Sequence, residues 1–86
     1  MHHETRLRQS RLAAGYSQVD VAHVLQLKSH ASVSRWEHGE RLPSTERLLE
    51  LSALYQRTAN ELLLPQYHDA AARIQRRKLA ALRSHQ

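Results

Sequence analysis

Three observations predict an all-α fold. Leu, Val and Ala recur at helical spacing along the chain, no alternating β-branched or aromatic run reaches strand length, and only two Gly and two Pro interrupt the 86 residues. A hydrophobic content of 41% supports a globular domain. Aromatic residues make up only 5%, with no Phe, so the core must be built mainly from Leu, Val and Ala. A chain of this length has room for one small core, and the lack of Cys excludes a disulfide or thiolate-metal framework.

The first helix is expected from about Glu4 to Ala14. Leu7, Arg11 and Ala14 share a face there, Leu12 lies on an adjoining stripe, and Gly15 provides the stop. Ser17 can cap a second helix, Gln18 to Leu25, in which Val21, Ala22 and Leu25 fall on one face. Ser29 can cap a third. In it Val33 and Trp36 point one way, while His30, Ala31, Ser34, Arg35 and His38 occupy the remaining surface until Gly39 ends the helix.

Glu40 to Pro43 reads as a short polar loop. Ser44 is the next N-cap, with Glu46 in the first turn where its charge suits the helix dipole, and Leu48, Leu51, Ser52 and Tyr55 mark the fourth helix. Thr58 and Glu61 form a capping-box pattern ahead of Leu62, Leu63 and Leu64, so a short fifth helix begins there and Pro65 should break it. Gln66 to Ser84 favours a sixth helix, with Ala71, Ile74, Ala81 and Leu82 partly aligned and Lys78 interrupting the stripe.

The expected core is Leu7, Val21, Ala22, Leu25, Val33, Trp36, Leu48, Leu51, Tyr55 and Leu62. The chain thus divides into a five-helix domain, residues 4–64, and a C-terminal basic helical extension, residues 65–86.

The net charge of +5 suggests a polyanionic partner, yet it is unevenly placed. Residues 1–64 carry eight Arg or Lys against seven Asp or Glu, whereas residues 65–86 carry five against one. Met1-His2-His3 is followed by charge, and no segment approaches the roughly 18 apolar residues of a membrane span, so a soluble, cytoplasmic protein without membrane partners is expected. The seven His (His2, His3, His23, His30, His38, His68 and His85) include no His-x-x-x-His pair, and there is no Cys to join them. No Ser, His and acidic set accompanies an oxyanion-hole motif or Gly-rich phosphate loop. The expectation is a non-enzyme without metal or cofactor.

Ser17 to Gly39 is the most informative stretch. Two short amphipathic helices are separated there by a break too short to be a linker, which is a helix-turn-helix pattern. Taken with its flanks, S-Q-x-x-x-A, then V-S-R-W-E-x-G, P-S, L-L-x-L and N-E-L-L, the chain from Leu7 to Leu64 resembles the Cro/repressor (XRE-like) helix-turn-helix family. The resemblance implies five helices with the third in the DNA major groove, and homodimers reading two half-sites about one helical turn apart.

It also implies roles for particular residues. Gln18 would contact phosphate and brace the reading helix. Ser29 to His38 would be that helix, with His30, Ala31, Ser32 and Arg35 on its base-contacting face. Arg35 suits a bidentate guanine contact, His30 a purine edge and Ala31 a thymine methyl. His38, Arg41 and Lys28 would meet phosphate, and Arg11 and Glu37 would form a partly buried ion pair between the first and third helices.

Two features depart from the family pattern. Gln26 stands where Gly is usual, and LQLKS is one residue longer than the common turn, with Lys28 as the extra residue. The implied function is a sequence-specific double-stranded DNA-binding transcriptional regulator, a homodimeric repressor on palindromic sites. The alternatives are an antitoxin that holds a protein partner through its C-terminal helix, and an interaction module that kept the fold and lost DNA binding.

Overall fold

Ser17, Ser44 and Thr58 each close a helix N-terminus in the computed structural model, which describes residues 5–83. The elements are α1 (Leu7–Ala14), α2 (Gln18–Val24), α3 (Ala31–His38), α4 (Thr45–Tyr55), α5 (Ala59–Leu62) and α6 (Leu64–Arg83). The Ser17 hydroxyl accepts the Asp20 amide at 3.0 Å, and the Asp20 carboxylate accepts the Ser17 amide at 2.8 Å. That reciprocal box satisfies two otherwise unpaired donors. At α5 only the forward half forms. Thr58 Oγ1 accepts the Glu61 amide at 3.2 Å, while the Glu61 carboxylate lies 3.8 Å from Arg57 Nη1.

Helices α1, α3 and α4 end at a residue in the left-handed region, and α2 has one just past its C-cap, Leu25. Gly15 and Gly39 were legible as such stops, whereas Gln26 at φ 59° and Gln56 at φ 56° take the same conformation despite a Cβ.

The five short helices share one core. Leu7, Val21, Ala22, Leu25, Val33, Trp36, Leu51, Tyr55 and Leu62 are buried, with Leu48 half-buried against them beside Tyr16, Leu27, Leu54 and Leu63. Helix α2 packs on α3, α1 on both α3 and α4, and α4 on α5. None of these helices is long enough to persist alone in water, so the shared apolar face holds them. Leu12, by contrast, is 54% exposed.

The two ends of this bundle depart from expectation. Glu4 lies outside the described residues, and α1 begins at Leu7 because Thr5 is drawn into the core. Thr5 Oγ1 donates to the Trp36 carbonyl at 3.0 Å, and the Arg6 amide donates to the Leu62 carbonyl at 2.9 Å. At the other end Pro65 opens a helix rather than breaking one. The interruption is at Leu63, and Pro65 sits in the first turn of α6, where a missing amide hydrogen costs nothing. No side chain of α6 is fully buried, with Leu64, Pro65, Gln66 and Ala71 half-buried, and its expected last residue, Ser84, lies outside the described residues. No helix among the described residues is long and apolar enough to cross a membrane.

Candidate nucleic-acid interface

The turn between α2 and α3 is built in two halves. In the first, the Leu27 amide donates to the Ala22 carbonyl at 2.8 Å and the Gln26 amide to the His23 carbonyl at 3.1 Å, with Gln26 left-handed between them. This paired closure satisfies two of the carbonyls that end α2, and it lets Leu27 fold back onto the core. Gln26 thus takes the place of the Gly that the pattern led one to expect. The added length falls in the second half, where Lys28, Ser29 and His30 are all exposed. It moves the helix start by one residue. His30, not Ser29, is the N-cap of α3, and the Ser29 hydroxyl reaches the Ala31 amide at 3.3 Å.

Helix α3 is held from behind by a buried polar network. Arg11 Nε and Nη2 donate to the two oxygens of Glu37 at 2.6 and 3.1 Å, and Arg11 Nη1 donates to the Tyr16 carbonyl at 3.0 Å. The side chains are 8% and 3% exposed, so this is an interior fork rather than a surface pair. The bond to Glu37 raises the Arg11 guanidinium above its ordinary range. Gln18 joins from α2, its Nε2 donating to Glu37 Oε1 at 3.0 Å. Its amide therefore braces α2 against α3, with one further N–H left to donate outward. Tyr55 lies close to the same charges. Its ring stacks at 6.4 Å on Tyr16, and burial pushes the phenol up.

The opposite side of α3 faces outward. His30, Ala31 and Arg35 are exposed and Ser32 is half-buried, while Val33 and Trp36 anchor the helix to the core. His38 is exposed at the helix end, where its Nδ1 meets the Ser34 carbonyl at 2.8 Å. A carbonyl only accepts, so Nδ1 carries the proton there. Arg41 is exposed in the loop that follows. Beside α3 a shallow hollow has Leu27 and Trp36 among its lining and carries Ser32, Arg35, Arg41, Ser44 and Arg47.

Among the described residues Lys28, Arg35 and Arg41 enter no ion pair. The structure thus leaves His30, Ala31 and Arg35 exposed and Ser32 half-buried at α3, with Arg41 in the loop after it and Lys28 and Ser29 in the turn before it. Arg11 and Glu37 lie behind. Arg47 had escaped notice, because a basic residue inside a helix carries no local signal of what it will touch. No three His, Asp or Glu side chains converge to hold a metal among the described residues.

No curated protein matches the chain. A family model described as helix-turn-helix matches residues 7–62, from the first residue of α1 to the last of α5. The chain, with a helix braced by buried charge on one side and free cations on the other, therefore belongs to the Cro/C1-type (XRE-like) helix-turn-helix family of DNA-binding regulators.

Proposed function

We propose that this protein is a sequence-specific transcriptional repressor that binds palindromic double-stranded DNA as a homodimer, with residues 4–64 as its reading unit. The observation that carries this reading is the two-sidedness of α3. Its inner face is fixed by Val33, Trp36 and the Arg11–Glu37 fork, and its outer face presents His30, Ala31, Ser32 and Arg35 without an ion-pair partner. Such a helix can enter a major groove with its angle already set.

Arg35 is assigned to a guanine edge, His30 to a purine and Ala31 to a thymine methyl. Lys28, Ser29, His38, Arg41 and the outward N–H of Gln18 are assigned to the phosphates on either side. Two copies are needed because one helix of eight residues reads only a few base pairs, and tethering two multiplies affinity through effective concentration. The extension, residues 65–86, carries its basic residues on a helix exposed from residue 72 to 83, which leaves that stretch for phosphate or for a second copy.

Footprinting on the DNA upstream of the protein's own gene tests the reading. Protection of two symmetric half-sites about one helical turn apart supports it. Uniform protection that vanishes with modest added salt would reduce the activity to non-specific charge.

A further inference from the structure

We infer that Arg47, on α4, is a positioning residue that sets how the reading helix enters the groove. The inference rests on the DNA-reading function proposed above. Arg47 Nη1 donates to the Leu25 carbonyl at 2.7 Å, across 22 positions of sequence, and to Glu50 Oε1 at 3.0 Å. Leu25 is the C-cap of α2, and its carbonyl is not one of the two that the turn's backbone amides satisfy. A cation from another helix thus closes the negative end of α2. Glu50 holds that cation in place, with the two side chains 33% and 42% exposed.

The position of this contact gives it a role beyond capping. The polar contacts that pin the second half of the turn are few, since Lys28, Ser29 and His30 are exposed and Ser29 reaches only the Ala31 amide. Arg47 grips the chain at Leu25, where the turn begins, and lines the same hollow as Ser32 and Arg35. It therefore connects the frame of α4 to the start of the turn that delivers His30 and Ala31. Leu25 and Trp36 fix where α2 and α3 pack, and Arg47 fixes the strap between them.

The rival role is a direct phosphate contact, because Arg41 and Arg47 share the hollow. Glu50 separates the two. Positioning makes Glu50 a helper of DNA reading, whereas for a phosphate contact its removal relieves repulsion and tightens all DNA.

Two measurements on the full chain test this. The first is amide hydrogen exchange in the free protein for Arg47→Ala, Arg47→Lys and wild type. Exchange at the hydrogen-bonded amides of Gln26, Leu27 and Ala31 should rise about tenfold or more in Arg47→Ala with α1 and α4 unchanged, and Arg47→Lys should restore most of the protection, since an ammonium can still donate to the Leu25 carbonyl. Unchanged exchange in the turn overturns the inference whatever the DNA does.

The second uses the tightest duplex that wild type selects from a randomised library, against a scrambled duplex of equal composition. Arg47→Ala and Glu50→Gln should both lower the ratio of selected to scrambled affinity, by about tenfold and threefold respectively, with the salt slope unchanged. Equal weakening of both duplexes with a shallower slope in Arg47→Ala, or tighter binding by Glu50→Gln, assigns Arg47 to phosphate and overturns positioning. A wild type that selects no duplex refutes the DNA reading itself, while the exchange result still decides whether Arg47 holds the turn.

Discussion

Removing Glu37 should be among the most damaging single changes in this protein. Its carboxylate accepts from Arg11 Nε at 2.6 Å, from Arg11 Nη2 at 3.1 Å and from Gln18 Nε2 at 3.0 Å, and the Arg11 and Glu37 side chains are 8% and 3% exposed. In Glu37→Ala the Arg11 guanidinium keeps only the Tyr16 carbonyl, leaving a buried charge without a counterion. Breaking a buried pair in this way costs about 3–5 kcal/mol, against less than about 1 kcal/mol for an exposed pair. In a domain of this size each kcal/mol moves the midpoint by about 4–8 °C, so the melt should fall by about 12 °C at the least.

Thermal unfolding followed by far-ultraviolet circular dichroism measures this. The Arg11→Ala, Glu37→Ala and double-alanine set gives the coupling. The double variant should be less damaged than the two singles summed, because removing both charges leaves neither stranded. Midpoints of the single variants within about 4 °C of wild type would show that the fork contributes no more than a surface pair. The reasoning from burial would then be wrong.

Arg35→Ala should lose about 1–3 kcal/mol per half-site on the preferred duplex and much less on random duplex, whereas Arg41→Ala should weaken both about equally; gel-shift titrations that show equal loss for Arg35→Ala would exclude base reading by that side chain. Gln26→Gly should stabilise the fold by about 1 kcal/mol, since it removes a Cβ from a left-handed residue at φ 59°, and an unchanged or lower denaturation midpoint counts against a strained turn. Asp20 responds to pH with a defined sign. Its carboxyl is held below its ordinary value of 3.8 by the hydrogen bonds it shares with Ser17, so its contribution is present above that value and is lost as pH falls through the lower, folded one. The stability difference between wild type and Asp20→Asn should therefore shrink from pH 7 toward pH 3, and a constant difference in melts across that range argues against the box.

Much of the helical frame could be read from local pattern. Ser17, Ser44 and Thr58 cap the helices they precede, Gly15 and Gly39 end the ones they follow, and nine of the core side chains are those that apolar spacing singles out. Where local reading failed, two local signals competed. Ser29 carried the capping signal for α3, yet the longer turn gave the N-cap to His30, which makes no side-chain cap hydrogen bond. Pro65 excludes a helix interior and suits a helix start equally well, and its place after Leu64 decided between them. Gln26 and Gln56 show the other limit. A non-glycine residue adopts the left-handed conformation when the packing on both sides leaves the chain no alternative, and nothing in the residue type announces it.

The candidate interface divides along the same line. Family resemblance located the outward face of α3 and the Arg11–Glu37 pair, because both fall at set places in the order of motifs. It did not show that Gln18 turns its amide toward Glu37, that Thr5 ties the chain start to Trp36, or that Arg47 reaches the Leu25 carbonyl. Most helix ends and apolar faces were legible locally, since caps and periodicity act over a turn or two of chain. Apart from Arg11 and Glu37, the polar partners that meet across 19 to 31 positions depend on how the helices pack. A long side chain's partner depends on where packed helices place its donor, and buried donors take the nearest acceptor that burial leaves open.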